Sequence, residues 1–328
     1  MKNQFFSWNG IQGAPHFHSG VTIRKLMFGL VVALLPPLGF GVYQYGMGAL
    51  LLIGVSVISA VCVELLVDVT AYRRKTRIFN FHAAVVGLLV AAMLPPGCPL
   101  AIAMVGAGLA ILLGKAPFGS LGGSFIAPAI LGMLILFVSW PQSANQWQFP
   151  HESADYNGKY VAESPLQAVY ADPSDEYEYS PIKMFLGVNN VGPIGAGSGL
   201  ALLVGALWLV FMRITRMYAT LGYMTGVVIA AGILGAMYPE EPSVWFHLAS
   251  GYALFAAVFL VNDIPASPVT EPGMVLFGLL SGALTIVLRF AGVELGAALF
   301  AVAFSSMAVP FFDKLQAKPA FKSEVPHA

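Results

Sequence analysis

From His82 to Gly132 the chain reads HAAVVGLLVAAMLPPGCPLAIAMVGAGLAILLGKAPFGSLGGSFIAPAILG, 51 residues with a single full charge, Lys115, and a Pro95-Pro96 pair among the apolar residues. An apolar run of this length belongs in a bilayer, where every backbone amide must find its partner inside the protein. Paired prolines at membrane depth free carbonyls that water cannot reach, so neighbouring helices or a lined cavity must take them up. Breaks of that kind usually surround a site. Composition agrees: 58% of residues are apolar, 10% are charged and the mean hydropathy is +0.77. These values describe a polytopic membrane protein, not a soluble domain, and nucleic acid is not expected as a partner.

A second copy of the pattern begins at His247: HLASGYALFAAVFLVNDIPASPVTEPGMVLFGLLSGALTIVL, with prolines at 265, 268 and 272. Paired Pro/Gly-interrupted apolar segments in two halves of a membrane protein point to a midplane site between internal repeats. Spans of about 20 residues are expected at 25–44, 47–69, 81–96, 98–114, 122–140, 194–212, 217–238, 243–262, 272–289 and 292–312. The reading is one all-α domain over residues 1–328: repeat one at 21–140, an external acidic loop at 141–180 and repeat two at 181–315.

Thirteen of the 16 basic residues, including Arg24, Arg73, Lys115, Arg213 and Lys314, fall on one side of these spans; Lys159, Lys183 and Arg289 fall on the other. The positive-inside rule then puts both termini in the cytoplasm. Five spans per half make the repeats inverted, an architecture common among transporters. The N-terminus lacks an apolar signal region, so the first span is expected to direct insertion. Gly222-x-x-x-Gly226 and Gly278-x-x-x-Gly282 suit close helix crossings. Trp140, Trp147, Trp208 and Trp245 suit interfacial anchors, and Cys62 and Cys98 read as small buried residues or as half of a cluster shared with a partner chain.

Few residues carry chemistry. Glu64, four before Asp68 on one helix face, is a carboxylate inside hydrocarbon and a candidate for a cation path, while Asp68 reads as a surface partner of Arg73 and Arg74. Asp263, at the second proline cluster, could coordinate a cation with freed carbonyls or cap the next helix. The glycine hairpin with Gly119, Gly122 and Ser124 could cradle a phosphate or ring edge, or simply turn the chain. The turn with Gly192, Gly195 and Ser198 opens a span, and its amides suit an anion. His82 and His247 hold matching places and read as structural. No nucleophile-base-acid set, metal cluster or nucleotide fingerprint is present.

Taken in order, Ala14-Pro15-His16, ALLPPLGFGVYQYG, the MLPP break, LLGKAPFGSLGGSFIAPAILG, MFLGVNNVGPIGAGSGLALLVGAL and NDIPASPVTEPGMVLFGLLSGALT resemble the RnfD component of the Rnf electron-transport complex. The NqrB component of the sodium-pumping NADH:quinone oxidoreductase is similar but more distant. The resemblance implies ten spans in inverted halves and a multi-pass component of a bacterial or archaeal inner membrane. Partners would be the other Rnf-type components, of the A, B, C, E and G kinds, and electron transfer would be coupled to Na⁺ or H⁺ movement. It also implies FMN, esterified to a hydroxyl that matches Ser164, or riboflavin. Departures from the family pattern surround that residue. Ala162-Glu163 stand where the family has Gly-Ala, Ser124 and Ala127 stand where it has asparagines, and Ala196-Gly197 stand where it has Glu-Thr. Two other readings stay open, a flavin-free scaffold or ion-conducting component of the same fold, and a solute channel or transporter.

Overall fold

The computed structural model describes residues 22–71, 80–119, 123–148, 163–171, 180–188, 190–238, 242–264, 266–293 and 296–314. Both termini, Gly122, the basic segment 72–79 and most of the acidic loop lie outside them.

The described residues fold into helices α1 (Ile23–Tyr45), α2 (Met47–Thr70), α3 (His82–Met93), α4 (Leu100–Gly114), α5 (Pro128–Ser139), α6 (Pro141–Ala144), α7 (Pro165–Ala171) and α8 (Pro181–Leu186). There follow α9 (Gly199–Phe211), α10 (Tyr218–Met237), α11 (Val244–Ala249), α12 (Ala253–Phe255) with a π-helical turn Ala256–Leu260, α13 (Glu271–Phe290), α14 (Ala297–Met307) and α15 (Val309–Lys314). Local chemistry sets the starts. Thr22, Ser198 and Ser243 accept the amides of Lys25, Ala201 and Phe246 at α1, α9 and α11, and α5, α8 and α13 carry proline in their first turn, where no amide is needed.

Every predicted span contains a helix, yet only five described helices are long and apolar enough to cross a membrane: Ile23–Tyr45, Met47–Thr70, Leu100–Phe118, Tyr218–Met237 and Glu271–Phe290. Helices α3, α5, α9 and α14 have 12, 12, 13 and 11 residues, about 17–20 Å against a hydrocarbon thickness near 30 Å. Ahead of α9 the missing length is irregular backbone packed inside the protein. Segment 190–198, ahead of α9, is buried throughout.

The two Pro-Pro pairs behave differently. Helix α1 runs unbroken through Pro36-Pro37. There the carbonyl of Ala33, which Pro37 cannot engage, lies against Gly205 of α9, where a Cβ would come within 2.4 Å of it. At Pro95-Pro96 the helix stops, with Leu94 extended at ψ 143° as a residue before proline prefers.

Helix α2 packs on α3 and α4, and α4 on α5; α10 packs on α11, the π-helical turn and α13, and α13 on α14; α1 crosses α9. The predicted glycine motifs form one crossing of α10 with α13. A Cβ on Gly226 would meet the Leu279 carbonyl at 2.3 Å, and one on Gly282 the Tyr223 carbonyl at 2.1 Å. Without a hydrophobic drive between helices in lipid, such backbone contact supplies the association.

Of the predicted anchors, Trp245 is 71% exposed, but Trp147 is fully buried in the main core and Trp208 donates to the Gly29 carbonyl at 3.1 Å. Cys98 is buried, whereas Cys62 is exposed on α2, correcting the reading of both as buried; both are free thiols.

Candidate functional site

The two helix interruptions meet. In the first, Pro96 leaves the Ala92 carbonyl without its helical donor, and the Gly195 amide supplies one at 2.8 Å. The Leu94 carbonyl takes the Ile194 amide at 3.1 Å, and the Met93 carbonyl takes the Tyr252 hydroxyl at 2.7 Å. Tyr252 belongs to the second interruption. Gly195 has no alternative here, because a Cβ would lie 2.4 Å from that of Ala92.

In this docking, several amides of the glycine turn are taken by the protein itself. Amides 194 and 195 face the first break, the Ala196 amide donates to Pro193 at 3.0 Å, and the Gly192 amide reaches the Tyr45 hydroxyl at 3.1 Å. Ser198 caps α9 and donates to the Leu186 carbonyl at 3.3 Å. Gln44 and Asn190 lock the same junction: Gln44 donates to the Asn190 carbonyl at 2.8 Å, and Asn190 to Gly197 at 3.2 Å.

The second interruption falls at Ser250–Tyr252, upstream of the proline cluster that was expected to cause it. Gly251 takes φ +61°, a left-handed geometry that glycine tolerates. Arg289, in the last turn of α13, enters the gap. One terminal nitrogen donates to the His247 carbonyl at 2.8 Å and to the Ser250 hydroxyl at 3.3 Å, and the other to the Ser250 carbonyl at 3.0 Å. Its first nitrogen also stands 3.4 Å from His247 Nδ1. Arg289 is 1% exposed. Sequence reasoning counted it among the basic residues on the outer side; its place at the last position of the apolar span 272–289 was the available signal.

Glu64 is 8% exposed on α2 and forms an ion pair with Lys115, the residue that ends α4. Helices α2 and α4 run side by side, with Ser59 donating to the Met104 carbonyl at 2.7 Å. His82 opens α3, buried, its Nδ1 without a partner. The hairpin that follows Lys115 turns at Gly119 with φ +76°, and Ser124 is buried beyond it. Asp68 is half-buried one turn after Glu64.

Asp263 lies in the connection between the π-helical turn and α13. One of its carboxylate oxygens is shut off from solvent with no partner, and burial pushes its carboxyl up to about 7. Beside it opens a cavity of about 380 Å³ lined by Thr215, Arg216, Asn262 and Ser267. The Thr215 hydroxyl is likewise unpartnered, and Arg216 pairs with Glu271 at 3.3 Å. The side-chain amide nitrogen of Asn262 lies within donating distance of Thr220, Ala257 and Val258 at 2.7, 3.2 and 3.0 Å. Asp313 of α15 holds the far end of the connection through the Val269 and Thr270 amides at 3.0 and 3.4 Å. Among the described residues no group of three His, Cys, Asp or Glu could hold a metal ion.

A family model described as NQR2, RnfD, RnfE matches residues 10–322. The chain belongs to that family. Within the NQR2, RnfD, RnfE family it is 28% identical to the D component of the Na⁺-translocating ferredoxin:NAD⁺ oxidoreductase complex of Acetobacterium woodii, over 93% of this chain and 92% of that one. It is 29% identical to the D component of the ion-translocating oxidoreductase complex of Mannheimia succiniciproducens, covering 93% and 95% of the two chains. It is also 29% identical to the D component of the proton-translocating ferredoxin:NAD⁺ oxidoreductase complex of Clostridium ljungdahlii, covering 93% of each.

The NQR2, RnfD, RnfE resemblance implies a flavin phosphoester at Ser164, and the residues there do not fit one. Ser164 is 1% exposed. Its hydroxyl accepts the Gln167 amide at 3.2 Å and donates to Gln167 Oε1 at 3.2 Å, capping α7. Leu166 and Val169 of that helix pack on Met184 and Phe246. A phosphodiester to FMN would replace the hydroxyl proton, break the cap and set a negative charge beside Glu163, which is exposed. Val161 and Ala162 lie outside the described residues.

Proposed function

We propose that this chain is the RnfD-type membrane component of an Rnf-type, ion-translocating oxidoreductase, contributing the ion-handling core of the complex and no self-contained active site. The observation that carries this reading is the junction of two helix interruptions, Tyr252 hydroxyl to Met93 carbonyl, in a chain of this family. Broken helices whose ends face one another are how membrane transporters build a site away from lipid. Its relatives are named for Na⁺ in one case and for protons in another, and the other components of such a complex are its partners.

Two inverted halves underlie the site. In support, the neighbours of α2, α3, α4 and α5 recur as α10, α11, α13 and α14, and α2 with α4, like α10 with α13, run in one direction. Both termini lie on the cytoplasmic side of an inner membrane, as the basic residues suggest. Glu64 and Asp263 line the cation path: one is a carboxylate held by a lysine, the other a carboxylate with one oxygen unpartnered, beside a cavity that Thr215, Arg216, Asn262 and Ser267 help to line. A group that changes partner or protonation at modest cost suits transient occupancy by H⁺ or Na⁺.

The flavin-free form of this reading is favoured by Ser164, whose hydroxyl is committed to the α7 cap. Electron carriers then reside on partner chains. Intact-mass measurement of the isolated chain is expected to return the bare polypeptide, and a mass higher by one esterified FMN would overturn this part. For the cation path, redox-driven uptake of ²²Na⁺ and of protons by vesicles holding the complex is measured in Glu64→Gln and Asp263→Asn variants. Uptake is expected to fall about tenfold or more with the complex assembled, since each loses a carboxylate buried in low dielectric. Unchanged uptake in both would refute the assignment.

A further inference from the structure

Arg289 is the best-buried charge among the described residues, and no carboxylate lies within 4 Å of it there. Its partners are oxygens of an interrupted helix: the carbonyls of His247 and Ser250 and the Ser250 hydroxyl, at 2.8–3.3 Å. Its Nε is buried without an acceptor. An isolated charge in such a place is expensive unless the local dipoles compensate it.

The arrangement of those oxygens explains what compensates. Carbonyls at the C-terminal end of a half-helix, joined by a hydroxyl from the unwound turn, are the ligand set that membrane transporters use for alkali cations. Here the α11–α12 interruption aims such a set at one point, and a guanidinium tethered to α13 occupies it. The first interruption offers no such set, because its carbonyls are taken by amides and by Tyr252. Lys115, at the far end of α4 from that interruption, is neutralised by Glu64.

We propose that Arg289 is a tethered cation filling an oxygen cage at the α11–α12 interruption, which denies that cage to mobile cations and closes this end of the second half to them. The inference rests on the reading of the chain as part of an ion-translocating complex. A fixed positive charge in a narrow, low-dielectric passage repels cations and leaves neutral or anionic species less affected. No bond is made or broken; the effect is electrostatic and steric.

The test is passive ²²Na⁺ efflux from proteoliposomes holding the purified complex with no electron donor, with ³⁶Cl⁻ efflux as control. Arg289→Gln, which can still donate to Ser250, is expected to raise ²²Na⁺ efflux at least about tenfold, from the loss of one unit of repulsion at close range, with ³⁶Cl⁻ unchanged. Arg289→Lys is expected to stay tight. Ser250→Asp keeps the arginine in place and cancels its charge, so it removes the electrostatic part of the block alone and should leak ²²Na⁺ above the parent level, and it decides the question if Arg289→Gln fails to assemble. Tight Arg289→Gln or Ser250→Asp membranes would overturn the proposal. So would a leak that rises equally for chloride, which marks a packing defect. Redox-driven uptake by the parent complex is measured in parallel, so loss of the parent's pumping would count against the functional reading and leave the leak comparison interpretable.

Discussion

The two interruptions solve one problem with opposite chemistry. At the first, proline removes amides and the freed carbonyls are met by neutral donors from the second half: Gly195, Ile194 and Tyr252. At the second, a left-handed glycine turns the chain and the freed carbonyls are met by a charge, Arg289. Neutral donors satisfy carbonyls without adding a field. A guanidinium satisfies three oxygens at once but leaves a unit charge in the interior. The lesson is that a broken helix in a membrane leaves open which kind of donor completes it, and that choice sets where charge resides.

The sharpest way to break the comparison is to remove the charge. Arg289→Met strips the His247 carbonyl and the Ser250 hydroxyl of their charged donor and leaves the Ser250 carbonyl only the Ala253 amide at 3.5 Å, so the complex should lose about 3–5 kcal/mol, read as a large drop in its thermal unfolding temperature. A loss no greater than that of a neutral-donor variant would erase the distinction. At the first interruption, Gly195→Val forces a side chain onto Ala92, where a Cβ already lies within 2.4 Å; undocking the turn should cost about 2 kcal/mol.

Smaller effects sharpen the picture. Tyr252→Phe deletes the hydrogen bond that joins the two interruptions and should cost about 1 kcal/mol, measured by the same unfolding curves. A pH-dependent effect concerns Asp263, whose carboxyl is raised to about 7 by burial. A raised carboxyl favours the folded state when protonated, so its contribution is full below the ordinary aspartate range and is lost as pH rises through about 7. Asp263→Asn should therefore gain stability relative to the parent at pH 8 and not at pH 4, and an equal difference at both would sink this assignment.

Much of the architecture was legible. Proline at Pro95-Pro96 announced a break because it lacks an amide, and both Gly-x-x-x-Gly motifs announced a close crossing because only glycine allows backbone contact. The glycine turn at 192–198 also stood out, but its purpose did not. Free amides look alike whether they wait for an anion or for a carbonyl 100 residues earlier in the chain. Arg289 was silent for a related reason: a charge at a span end is counted only for the side it marks, and the neighbouring helix alone reveals the carbonyls that replace water. Ser164 stood out only through resemblance, and its burial beneath α7 could not be read from flanking residues.

By itself, the amino-acid sequence determined the solvent and the grammar of this protein. It lies in a bilayer, it consists of helices, and those helices must break at particular residues, because hydrocarbon forbids unpaired backbone and proline and glycine alone permit the interruption. Only the tertiary structure decided which distant group completes each break. Tyr252 serves Met93, Gly195 serves Ala92 and Arg289 serves Ser250. That decision depends on distances across the fold, since an acceptor deep in a membrane takes whatever donor packing brings within about 3 Å.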